Sequence, residues 1–178
     1  MKFNLAVTMA MLARTPAVLR ALVGGADERW TDPTYGPGTW SAREIVAHLV
    51  FAEETDWIPR MRVILEAGTS RAFDPFDRDG HGGLAKSRSV AQLLDLFEAK
   101  RAESLQTLAS ARLSDEDLQR MGRHPALGTV TLANLLATWT VHDLNHISQI
   151  AKAMAYQYKT EVGPWEAYLS VLAPPNPR

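Results

Sequence analysis

Residues 140–150 read TVHDLNHISQI and place two histidines, His142 and His146, four positions apart. On an α-helix that spacing is about 6 Å along the axis and about 40° around it, so both imidazoles point the same way and can reach one ion. Alone, the pattern describes a pair of metal ligands or two polar residues sharing a face. Leu135, Trp139, Ile150 and Ala153 fall within about a quarter turn of the pair, so the histidines interrupt an apolar stripe. A third histidine does the same elsewhere. In EIVAHLVFAEE, His48 shares a face with Ile45 and Ala52. Three imidazoles from two facing helices form a three-coordinate site with a fourth position left for water or substrate. Neutral imidazoles leave the charge of a dication uncompensated. The fourth ligand is then favoured as an anion, which suits activation of a water or a thiol nucleophile; the alternative is a non-catalytic bundle whose metal is structural or which binds a small ligand. The chain has no cysteine, so a thiolate would have to come from a small molecule.

Several neighbours are candidates for supporting roles. Glu44 stands three residues after Ser41 and reads as a capping-box partner in preference to a group near the ion. Asp56 drifts about 80° from His48 and reads as a boundary residue in preference to a carboxylate behind the ligands. Asp143 projects about 100° away from His142 and is a poor ligand. Gln149 lies nearer the histidine face, where it can hydrogen-bond a bound ligand, and Trp139 reads as core or pocket wall. His81, in the glycine-rich DRDGHGGLAKS, lacks the ending of a phosphate loop. His124 precedes Pro125 and reads as a solvated loop residue; either histidine can approach the mouth of the site, though nothing in the sequence requires it.

Four helices are expected to position these groups. The first spans about residues 3–23, with Pro16 marking a break near Thr15 and Gly24-Gly25 ending it. The second starts at the SARE capping box, kinks at Pro59 and stops at Gly68. The third starts at Ser89 and carries Val90, Leu94, Phe97, Leu105 and Leu108. The fourth spans about residues 131–158. Ser114 caps a short turn before it, and a short helix over residues 164–172 precedes the proline-rich tail 173–178, expected to fray. The link over residues 69–88 is too long for a hairpin between antiparallel neighbours, which needs about 2–8 residues. It leaves helices two and three parallel. The expected fold is a single all-α domain over residues 1–178.

A hydrophobic content of 46% and a net charge of −1 describe an ordinary globular chain and give no electrostatic case for nucleic acid or an anionic membrane as partner. Lys2 and the apolar residues after it mimic a signal peptide, but Arg14 and Arg20 interrupt them and leave no uninterrupted span of about 20 apolar residues. The expectation is a cytoplasmic protein.

WSAREIVAHLVFAEE, TWTVHDLNHISQI and the late GPWEAYL together resemble the DinB-like (DinB/YfiT-like) family of four-helix-bundle metalloproteins. The resemblance covers nearly the whole chain. It implies an up-down-down-up bundle and a divalent ion, zinc or nickel, held by His48, His142 and His146. It further implies a homodimer and a small-molecule substrate. Relatives include thiol-dependent S-transferases, a thiol-dependent isomerase and a metal-dependent hydrolase, so an external low-molecular-weight thiol is a candidate co-substrate. A dimer has separate support in apolar residues facing away from the histidines, Val46, Val50 and Trp57 on helix two and Val141 and Leu144 on helix four; the alternative is that these faces pack under the long link and the C-terminal segment.

Overall fold

Helix starts in this chain are set by side chains that satisfy the first amides. A computed structural model describes residues 1–173; the rest of the tail lies outside the described residues. Asn4 accepts from the Val7 amide and opens α1 (Leu5–Leu12). Pro16 falls in the first turn of α2 (Thr15–Val23), where its missing N–H costs nothing, so the first bundle helix is two pieces as expected. After the short α3 (Glu28–Thr31), Ser41 and Glu44 form the full capping box of α4 (Ala42–Thr55). Pro59 cannot donate to, and crowds, the carbonyl of Thr55; the chain bends at Asp56 before α5 (Trp57–Ala67), which ends at Gly68 with φ 57°. The long link contains α6 (Gly82–Ser87). Capping boxes then open α7 (Val90–Ser110) at Ser89, α8 (Asp115–Gln119) at Ser114 and α9 (Leu132–Ala155) at Thr131. The C-terminal turns at Gly163–Tyr168 and Ser170–Leu172 are 3₁₀ rather than α.

Two buried clusters fix the direction of each helix. One gathers Leu19 and Val23, Ala42 to Val50, Leu93 to Phe97, and Ile150. The other gathers Leu12, Trp57 to Ile64, Leu108, and Leu132 to Trp139. Read along the chain, α1–α2 run from the second cluster to the first. Both α4–α5 and α7 run from first to second, and α9 returns. Helices two and three are therefore parallel, and the bundle is up-down-down-up.

Between α8 and α9 the chain makes a hairpin that helical periodicity does not announce: β1 (Met121–His124) pairs antiparallel with β2 (Gly128–Thr131). The Phe73 amide donates to the Arg123 carbonyl and ties the hairpin to the long link. A Cβ at Gly122 would lie 2.6 Å from the Ile64 side chain and 2.9 Å from that of Phe73, so only glycine lets β1 approach α5 this closely.

One expectation for the apolar faces needs correction. Val46, Val50 and Trp57 are buried within the chain and offer no second face on helix two. Val141 and Leu144 are exposed, as are Val7, Met11 and Val18 of the first helix. By length and mean hydropathy (1.4) the stretch Leu5–Val23 would suit a membrane span. In the fold it is broken between α1 and α2, and its Leu12, Leu19 and Val23 are core residues.

Where the two clusters meet, the centre of the bundle is charged. The Arg101 guanidinium is 1% exposed and donates to both Glu53 and Asp143 at 2.7 Å. It also donates to the Leu12 carbonyl at 2.8 Å. Trp139 Nε1 donates to Glu53 Oε1 at 3.0 Å, and Thr15 Oγ1 to Asp143 at 2.6 Å. All four bundle helices are thus tied to one cation. Asp143 is occupied here, away from the histidines, as its position on the helix predicted.

Candidate metal centre

The parallel run of α4 and the return of α9 bring the three histidines together. His48 Nε2 lies 3.2 Å from His142 Nε2, and His142 Nε2 lies 3.0 Å from His146 Nε2. One ligand atom from each falls within 4.8 Å of the others. Nitrogens bound at ~2.0–2.1 Å to a common ion stand about 2.9 Å apart in octahedral geometry and about 3.3 Å apart in tetrahedral geometry. The observed separations fall in that range. His146 Nδ1 donates to Gln149 Oε1 at 2.7 Å, which leaves its Nε2 lone pair facing the other two rings. Gln149 therefore serves a histidine rather than a ligand in the cavity. The Nδ1 atoms of His48 and His142 are buried with no hydrogen-bond partner among the described residues.

Burial, followed by the neighbouring imidazoles, pushes His48 down to about 3 and His142 down to about 2. Both are neutral at pH 7, with lone pairs free for an ion.

A superfamily model described as the DinB superfamily matches residues 11–150. The chain belongs to the DinB superfamily. A "Putative metal-dependent hydrolase" of Oceanobacillus iheyensis is 23% identical over 136 residues, covering 76% of this chain and 77% of that protein. A protein of the same name from Bacillus cereus is 24% identical over 136 residues, covering 76% of each. The solved structure of YfiT from Bacillus subtilis is described as "a probable metal-dependent hydrolase with an unusual four-helix bundle topology". It superposes with a TM-score of 0.72 at 23% identity, over 88% of this chain and 87% of that one. This last likeness shows the fold.

Around the DinB-type triad the structure places groups that sequence reasoning set aside. His81 is buried beside the triad. Its ring packs 4.6 Å from Trp40 and 5.5 Å from His48, centroid to centroid, and its Nδ1 donates to the Arg78 carbonyl at 3.1 Å. His124 is half-buried at the hairpin tip, where its Nδ1 accepts from the amides of Ala126 and Leu127. Asp56, read as a boundary residue, is buried and lines the same cavity as the triad. Burial raises its carboxyl to about 6, against the pull of Arg60, whose Nε lies 2.5 Å away. The common signal was a polar residue beside a helix break or a turn, which periodicity does not score.

The three histidines sit in the wall of a cavity of about 540 Å³ shared with Trp40, Asp56, Arg60, Phe76 and Arg78. Among the described residues no carboxylate or further imidazole joins the group of ligand atoms. The triad can hold an ion with a position open to this cavity.

These shifts have a sign. His48 and His142 are neutral when folded and ordinary when unfolded, so the stability of the metal-free protein is lost as pH falls through about 6.5. Lowering pH from 7.5 to 6 is expected to cost about 0.8 kcal/mol per histidine, or about 1.5 together, and about 5 °C in melting temperature. Folded Asp56 takes up a proton over the same interval that its unfolded form does not, which offsets part of this loss. A melting temperature constant from pH 7.5 to 6 would show these rings protonating freely in the fold.

Proposed function

We propose that the protein is a divalent-metal-dependent enzyme in which His48, His142 and His146 hold the ion and a small electrophile enters the adjoining cavity. The observation that carries this reading is the convergence of three imidazole Nε2 atoms, with no fourth protein ligand beside them among the described residues. Structural zinc is ordinarily closed by four side chains, whereas catalytic sites keep three and an open position. When bound, the ion supplies Lewis acidity that lowers the pKa of an incoming nucleophile. The chain's own contribution is orientation and dryness. Gln149 fixes the tautomer of His146, while Trp40, Phe76 and Trp57 pack on the three rings and keep water from their flanks.

The names of the relatives favour water as the nucleophile, hence hydrolysis. A second reading, transfer to an external low-molecular-weight thiol, has support in the room available: about 540 Å³ accommodates two small molecules side by side. Zinc and nickel are the ions proposed, since imidazole suits both.

Metal analysis of the purified protein beside His142→Ala tests the assignment. One divalent ion per chain is expected in the parent and at most a tenth of that in the variant, with unchanged helix content by circular dichroism. Equal metal in both would remove His142 from the site. On the metal-loaded parent, turnover of an activated ester that needs no thiol would select hydrolysis, and turnover only with added thiol would select transfer.

A further inference from the structure

The walls of the triad cavity narrow the class of electrophile it can take. Arg78 stands on the wall with its guanidinium in no ion pair or hydrogen bond among the described residues. Its backbone is held in place, because its carbonyl accepts from the buried His81, which packs on Trp40 and His48. Arg60, the other cation there, pairs only through Nε with Asp56 among the described residues. Two arginines and one carboxylate line this cavity, and an ion held by the triad would add to the positive charge, a balance that favours an anionic guest.

Next to this chamber lies a smaller cavity of about 190 Å³ between the hairpin and helices two and four. It shares Asp56, Arg60, His124 and His142 with the larger one, and its other walls include Phe73, Leu127, Val130 and Leu135. A dry apolar cavity of about 150 Å³ is enough to hold benzene. The side chamber therefore suits one ring or a short alkyl chain, placed next to the imidazole of His142.

Resting on the metal-dependent reading, we propose that the electrophile is a small anionic molecule with an apolar body. Its ring or chain occupies the hairpin chamber, and its carboxylate or phosphate is met by Arg78 at the wall of the triad cavity.

Calorimetric titration of the full chain, zinc-loaded and metal-free, with benzoate, benzamide and acetate tests this. Benzoate is expected to bind at least ten-fold more tightly than benzamide in both metal states, and Arg78→Ala should remove most of that preference. Val130→Phe, which fills the side chamber, should bring benzoate down to the affinity of acetate. A preference seen only with zinc and untouched by Arg78→Ala would overturn the arginine site. Equal binding of benzoate and acetate by the parent would overturn the apolar chamber. A chain that takes up no zinc yet keeps an Arg78-dependent preference would sink the metal reading and support this one, so the two fail separately.

Discussion

Arg101→Met is expected to destabilise the protein by about 3–5 kcal/mol, because it leaves Glu53 and Asp143 buried without their cation. For a chain of this size that corresponds to a melting temperature lower by about 10 °C. Methionine fills most of the volume beside Phe97 and Trp139, whose ring centroids lie 4.9 and 5.2 Å from the guanidinium carbon, so the loss reports charge more than a cavity. The variant also has a signature in pH. Burial already raises the Glu53 carboxyl while Arg101 pulls it back. Without Arg101 the Glu53 carboxyl rises further in the folded state alone, and the stability lost relative to the parent should partly recover as pH falls from 7 to 5. The metal-free parent loses stability over the first part of that interval. Denaturant melts at pH 7 and pH 5 would show the gap between variant and parent narrowing. A loss below about 1 kcal/mol at pH 7 would mean that water or relaxed packing replaces the guanidinium.

The network at Arg101 also shows which part of the chain was legible. The four bundle helices were, because each opens on a capping residue and carries an apolar stripe, and because a link over residues 69–88 cannot be a tight hairpin. The triad was legible for a related reason: histidines that interrupt a stripe are pointed inward by the residues around them. Arg101 obeys the same rule in a sequence where it is easier to overlook. It fills the stripe position between Phe97 and Leu108 on the third helix, yet it sits among Lys100 and Glu103, which belong to the solvated face. Where no period exists the inference fails. His81 and His124 reach the site through the tertiary placement of a loop and a hairpin tip. Asp56 does so because Pro59 bends the helix beneath it, turning a residue 80° off the histidine face back toward the cavity. The hairpin had a signal of its own in the residues Gly128, Thr129, Val130 and Thr131, a turn former followed by strand formers, but four residues per strand are too few for alternation to stand out.

The larger expected effect on the site itself comes from His48→Ala. His142 and His146 share one helix and remain a pair whatever the bundle does, so only His48 tests whether ligands from two helices meet on one ion. An ion that binds the folded chain and not the unfolded one stabilises by RT ln(1 + [L]/Kd), about 2.7 kcal/mol at a free concentration 100 times Kd. The metal-free parent should therefore gain about 5–10 °C in melting temperature on addition of that much zinc. Losing one of three ligands should weaken binding at least about 100-fold, since removing even a partner behind a ligand costs 10–100-fold. At the same zinc concentration the variant then stands near its own Kd and gains only about 0.4 kcal/mol, a shift of about 1 °C. Each protein is compared with its own metal-free form, so the packing lost around Trp40 and Phe76 cancels. Equal zinc-induced shifts in parent and variant would make His48 a packing residue and put the ion, if one binds, on α9 alone.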